Sequence, residues 1–244
     1  MYLYSFYRFA WFDRVFYTDN QEFSSWDLLE AWWEFFLCLW NNIPFKELYT
    51  VTLKLENISL EVYIKNLFSE NTVEFLNNIV HNCYTTYKKV IPLFIPDIEA
   101  LLKKYIKKQE VPYFSGLKSY DDVYWFSEFT SKWQQLVVFP DLWLFYNTVS
   151  YNIVKEIQIL HWYSTNVQRS NMFWKIKKWK ISNIFVTYSK IFQDWKDLRK
   201  IVVFSPHRRY YKNQQDPRYD TVELLEILAK IYKIQIEFIN DYRL

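Results

Sequence analysis

Apolar and polar positions along this chain follow two periods, one near 3.6 and one near 2. Leu28, Leu29, Trp32, Trp33, Phe36, Leu37 and Trp40 recur at helical spacing. They follow a capping Ser24 or Ser25 and the acids Asp27 and Glu30, so a helix is predicted over 24–40, ended by Asn41, Asn42 and Pro44. Tyr49–Leu55 alternates, with β-branched residues, and predicts a strand. Residues 60–88 are mainly helical in pattern, with a break and a fresh cap at Ser69 or Asn71. Val90–Ile95 is apolar, but Pro92 and Pro96 assign it to an edge strand or an extended connector.

Beyond Pro96, acids at Asp97 and Glu99 and lysines at Lys103, Lys104, Lys107 and Lys108 suit the two ends of a helix dipole. A loop is predicted over 111–119, then two helices, Tyr120–Phe139 and Asp141–Trp162, divided by Pro140. Residues 172–196 leave strand and helix both open. Lys200–Phe204 predicts a strand and 205–220 a basic loop. Thr221–Ile231 predicts a helix capped by Asp220, with Val222, Leu225, Leu228 and Ala229 on one face, and Gln235–Ile239 a closing strand.

Composition changes this picture through one residue type. The 244 residues include a single glycine, Gly116, against about seventeen at ordinary usage of ~7%. Aromatics reach 22%, with 12 Trp. Scarce Gly and Ala beside abundant Phe, Tyr, Ile, Asn and Lys point to an AT-rich genome. Twelve Trp fit such a genome where TGA also encodes Trp, as in many mitochondria. The expectation is a protein encoded and made in the mitochondrion and resident in its matrix; an AT-rich nuclear or bacterial gene is the alternative. One glycine also cannot write a phosphate-cradling loop or a nucleophile elbow. Left-handed turn positions are expected to fall to Asn and Asp.

The chemistry expected is correspondingly sparse. Asp121–Asp122 reads as a helix cap. His81, His161 and His207 stand apart from any metal-ligand spacing. Cys38 and Cys83 read as reduced thiols or a single disulfide. No catalytic residue, metal, cofactor or small-molecule substrate is expected, and hence no enzyme. No apolar stretch reaches the roughly 18 to 20 residues of a spanning helix. The start, aromatic with early Asp13 and Asp19, resembles neither a secretory signal nor an import presequence.

Charge is uneven. Net charge is +3, yet residues 167–218 hold thirteen Lys or Arg and three acids, a net of +10. Arg169, Lys175, Lys177, Lys178, Lys180, Arg199, Lys200, Arg208, Arg209, Lys212 and Arg218 are the candidate polyanion contacts, with Lys190 and Lys196 between them. Phe173, Trp174, Trp179, Phe185, Tyr188, Trp195, Tyr210 and Tyr211 interleave with them. These rings are either stacking platforms for unpaired bases or core. His207, beside two arginines, is either a general base or a phosphate contact.

The run IVVF-SPHRRYYK followed by TVELLEILAKIYKIQIEFI resembles the C-terminal half of small-subunit ribosomal protein ten. That family carries a strand into Ser-Pro-His, a basic loop, a helix and a final strand. The resemblance covers about forty residues; YTVTLKL with the following helix, and VIPLFIP, are similar to its earlier elements. The basic loop is shorter than the family's, and about a hundred residues intervene between VIPLFIP and KIVVF. It implies a ferredoxin-like fold and ribosomal RNA contact through His207, Arg208, Arg209 and Lys212. The chain is also similar to divergent open reading frames of ciliate mitochondrial genomes, many of which encode ribosomal or respiratory subunits.

The expected architecture is α+β: a ferredoxin-like small domain with large, mainly helical N-terminal and inserted segments. Its parts are a helical aromatic extension (1–48), a first strand and helices (49–96), a mainly helical insertion, basic from 167 (97–198), and a closing strand, loop, helix and strand (199–244). The expected function is a structural component of the mitochondrial small ribosomal subunit. It would bind ribosomal RNA through the basic C-terminal third and other mitochondrial ribosomal proteins through aromatic surfaces. The alternative is a peripheral accessory subunit of a respiratory complex.

Overall fold

The computed structural model describes residues 2–5, 13–17, 23–24, 26–31, 34–39, 50–54, 61–95, 98, 132–148, 158–160, 164–215 and 217–240. The chain divides into two compact units, Met1–Ser69 and Glu70–Leu244. The lysines of 103–108, the loop at 111–119 and the start of the helix expected from 120 lie outside the described residues.

The first unit is a six-stranded sheet. Its strands are β1 (Tyr2–Ser5), β2 (Asp13–Tyr17), β3 (Leu28–Ala31), β4 (Glu34–Leu39), β5 (Thr50–Lys54) and β6 (Glu61–Ile64), in the order β5-β2-β1-β4-β3-β6. All neighbours are antiparallel except β2 and β5. The helix expected over 24–40 is the β3–β4 hairpin. Leu29 pairs with Phe36, seven residues on, a spacing that also shares a helical face, while Leu28 pairs with Leu37 from opposite edges of the expected helical stripe. Aromatic content tips such a segment towards sheet. Asp27 is buried and accepts the Ser24 and Asn66 N–H groups, each at 3.0 Å, which joins the start of β3 to the exit of β6. Burial, reinforced by Asp27, pushes the Cys38 thiol up to about 12, and neither Cys38 nor Cys83 forms a disulfide.

The second unit is mixed α/β. It contains α1 (Glu70–Asn82), α2 (Tyr87–Phe94), β7 (Gln134–Phe139), α3 (Leu142–Thr148), β8 (Gln158–Leu160), α4 (Asn166–Lys177), β9 (Asn183–Thr187), β10 (Leu198–Phe204), the short pair β11 (Lys212–Asn213) and β12 (Tyr219–Asp220), α5 (Thr221–Tyr232) and β13 (Ile236–Ile239). Five strands form one sheet, β13-β10-β7-β9-β8, parallel at every pairing. β7 and β9 are buried along their whole length, as is usual for strands covered on both faces. A row of rings crosses the sheet: Phe139 stacks on Phe204 at 4.6 Å and lies 6.0 Å from Phe185. Each such ring contributes about 1.5–3 kcal/mol by burial. α5 forms where expected, with Asp220 accepting the Val222 N–H at 2.9 Å and Leu224, Leu225 and Leu228 buried.

Several expectations change. The described residues of 97–198 supply three strands of the sheet, β7, β8 and β9, beside the helices α3 and α4. β7 ends the segment expected as a helix to Phe139; as an inner parallel strand it shows a continuous apolar run without alternation. Residues 158–160, expected within a helix, form β8, and 61–64 form β6. Val90–Ile95 is largely the helix α2 despite Pro92, because Val90, Ile91 and Phe94 fall on one buried face. The strand 49–55 appears as β5, but it pairs with β2 in the first unit. The ferredoxin-like arrangement is not confirmed: β10, α5 and β13 make a contiguous βαβ unit, with β10 and β13 parallel and adjacent.

Left-handed positions fall on Trp26, Asn66, Tyr84, Trp179, Ser205 and Lys233. Among the described residues, the expected use of Asn or Asp therefore holds at one of six. Tyr84, Trp179 and Lys233 each terminate a helix in a Schellman motif, closed by Thr85 N–H to Val80 O, Lys180 N–H to Lys175 O and Ile234 N–H to Ala229 O. Glycine normally takes this position. In a chain with one glycine, bulky residues occupy it at a cost of about 1–2 kcal/mol each.

Candidate nucleic-acid interface

Because every strand of the second sheet runs the same way, that sheet has an entry end and an exit end. The basic residues of 167–218 divide between them. The entry end receives the α4–β9 turn (178–182), Lys196 and the start of β10; the exit end receives the Ser205–Lys212 segment that leaves β10.

At the entry end the organiser is Gln134, fully buried on β7. Its amide nitrogen donates to the Ile176 carbonyl at 2.8 Å and to the Ile181 carbonyl at 3.2 Å. Its amide oxygen accepts the Lys196 N–H at 2.9 Å and the Asp197 N–H at 3.0 Å. One neutral side chain thereby satisfies four backbone groups of two separate turns, its full hydrogen-bonding capacity. Those turns present Lys178, Lys180 and Lys196 to solvent, with Lys132 nearby at the start of β7. Trp179 stands among them, 44% exposed and left-handed at φ 52°. The Lys178 ammonium lies 5.2 Å from the Trp174 ring centroid.

At the exit end the organiser is Tyr211. Its side chain is 1% exposed, and its hydroxyl donates to the Phe204 carbonyl at 2.7 Å and faces the Val138 carbonyl at 3.1 Å. Burial raises its phenol well above the usual range. Connections leaving β7 and β10 run to opposite sides of the sheet, since β8 and β13 are its two edges. In parallel sheets the crevice at such a point is the ordinary small-ligand site. Here Tyr211 spans it. The same segment turns outward on either side: His207, Arg209, Tyr210 and Lys212 are exposed and Arg208 is half-buried. The Arg209 guanidinium lies 5.7 Å from the Tyr210 ring centroid, and Tyr210 is 45% exposed. Arg218 is exposed on the return to β12. Among the described residues, no ion pair involves His207, Arg208, Arg209, Lys212 or Arg218.

Other candidates serve the fold. Lys177 pairs with the buried Asp194 at 2.5 Å, and the Thr72 hydroxyl donates to the second Asp194 oxygen at 2.7 Å. Arg169 donates to the Leu93 carbonyl at 2.9 Å, and burial lowers its pKa. Lys200 pairs with Glu237 at 2.9 Å, and Arg199 with Asp197 at 2.6 Å while remaining exposed. Lys175 is half-buried at the end of α4. Lys190 is brought down to about 8 by burial, with the positive Arg169 adding to the effect.

The interleaved aromatics divide in the same way. Phe173, Phe185, Trp195 and Tyr211 are core, Trp174 and Tyr188 are half-buried, and Trp179 and Tyr210 are exposed, one at each end of the sheet. Gln134 was missed in the sequence because a lone glutamine beside an apolar run gives no signal. Among the described residues, no group of His, Cys, Asp and Glu assembles as a metal site, and no helix is long and apolar enough to cross a membrane. Neither a protein-family model nor a curated protein sequence matches the chain.

Proposed function

We propose that this protein is a structural, non-enzymatic component of the mitochondrial small ribosomal subunit that binds ribosomal RNA through the second unit. One observation carries the reading. The SPHRRYYK segment is anchored by a buried tyrosine while its cationic side chains point outward, with no acidic partner among the described residues. Folded proteins ordinarily pair or disperse such charge. A cluster of Arg and His beside an exposed ring matches what phosphate contact and base stacking require.

The carbonyl-bound Tyr211 in the sheet's crevice supports a binding role over small-molecule chemistry, and the composition supports synthesis in the mitochondrial matrix. The resemblance to ribosomal protein ten now rests on the order of strand, basic loop, helix and strand over Leu198–Ile239. Other ribosomal proteins are the proposed neighbours.

Sedimentation of organelle lysates tests the reading. The protein is expected in small-subunit particles, released by ribonuclease, with ultraviolet crosslinks to RNA in peptides covering 205–218. Co-migration with a respiratory complex, unaffected by ribonuclease, would contradict it and favour the accessory-subunit alternative.

A further inference from the structure

The sequence presents one cationic belt; the fold breaks it in two. Part of it is held within the fold: Lys177 pairs with Asp194, Lys200 pairs with Glu237, and the half-buried Arg169 donates to the Leu93 carbonyl. What stays outward lies at opposite ends of β10, a seven-residue strand about 20 Å long at ~3.3 Å per residue. The Debye length at physiological salt is about 8 Å, so the clusters are more than two screening lengths apart and attract polyanions independently. They also differ in chemistry. The entry end carries lysines around a bare Trp179, and the exit end carries arginines and His207 around Tyr210. Each is fixed to the same rigid sheet by its own buried side chain, Gln134 or Tyr211.

We propose that the two ends hold two separate RNA segments at once, so that the sheet acts as a spacer bridging them. This rests on the RNA-binding reading above. Two sites of this kind on one rigid body convert a second binding event into an intramolecular one when both segments belong to one folded RNA, which raises affinity without new contacts.

The test uses the purified full-length protein and two short RNA hairpins carrying different fluorophores. Two hairpins are expected per protein at saturation, with energy transfer between the dyes that depends on the protein. The variant Lys178→Ala/Lys180→Ala/Lys196→Ala is expected to bind one hairpin and lose the transfer. Arg208→Ala/Arg209→Ala/Lys212→Ala is expected to do the same from the other end. These are surface changes, and an unchanged melting temperature checks that both variants fold. One hairpin per wild-type protein, or loss of all binding on neutralising either end, overturns the bridge while leaving RNA binding intact. An entry end that captures a neighbouring protein and no RNA overturns it too. A wild-type protein that binds no hairpin removes the RNA reading itself, and the bridge with it.

Discussion

The two ends of the parallel sheet solve one problem by different means. Each must hold a cationic turn against an apolar core. At the entry end a buried amide does so with four bonds to the backbone of two turns. At the exit end a phenol fills the crevice with its ring and reaches two strand carbonyls with one hydroxyl. Gln134 is thus a buried polar clamp, and Tyr211 a packed plug with a polar tip. In both cases the residue that positions the charge is neutral and invisible to solvent. Charge at the surface reports where a partner docks, and the uncharged residue beneath reports how the dock is built.

The comparison predicts unequal costs. Gln134→Leu orphans the Lys196 and Asp197 N–H groups and removes the amide donor from the Ile181 carbonyl, while the Ile176 carbonyl keeps the Trp179 N–H. With some of them resolvated by water, a loss of about 4 kcal/mol is expected, read by denaturant titration. For a chain of this length that is roughly 10 °C in melting temperature. Tyr211→Phe keeps the ring and is expected to cost only about 1 kcal/mol. Equal losses from the two changes would break the distinction between clamp and plug.

A second contrast concerns neighbours in sequence. Lys177→Met removes the ammonium paired with the buried Asp194 carboxylate and is expected to cost about 3 kcal/mol, with RNA affinity nearly unchanged. Lys178→Ala is expected to leave the melting temperature in place and weaken RNA binding. The reverse outcome would mean that Lys177 is the surface residue.

Trp179→Gly sets stability against function at one position. Relief of the left-handed conformation is expected to stabilise the protein by about 1 kcal/mol. Loss of a stacking ring is expected to weaken binding to unpaired RNA at least several-fold. A variant that is both more stable and equally tight would remove Trp179 from the interface. The smallest effect expected is a pH dependence. Lys190 releases its proton near 8 in the folded state and near 10.5 when unfolded, so the unfolded chain binds more protons between those values. Stability should therefore rise with pH from about 8. It should fall again above about 10, where Tyr211 and Tyr219 stay protonated in the folded state and the unfolded chain ionises. Lys190→Met should flatten the rise, as followed by melting temperature across the range.

Local signals made the end of the fold, Leu198–Ile239, legible. Asp220 caps its helix, KIVVF reads as a strand on its own, and the basic loop lies between them. The parallel sheet was hidden because its inner strands show neither period: QQLVVF beside Pro140 resembles the end of a helix as closely as it does a strand. The β3–β4 hairpin was hidden because its apolar residues also fit a wide helical stripe, and Leu29 and Phe36, cross-strand partners, sit at the helical i,i+7 spacing. For the candidate site, the location of excess charge was readable, yet its division was not. Lys177 and Lys178 are adjacent and chemically alike. Only the distant Asp194 and Thr72, brought in by folding, decide which of the two is available.

The most direct test of the central claim is the salt dependence of binding between the full-length protein and a small-subunit ribosomal RNA fragment. The account predicts a linear fall of log affinity with log salt, made shallower by about two units in Arg208→Ala/Arg209→Ala/Lys212→Ala, close to ~0.7 per lost phosphate contact. A wild-type affinity that salt barely changes, or a slope untouched by those three substitutions, would contradict it.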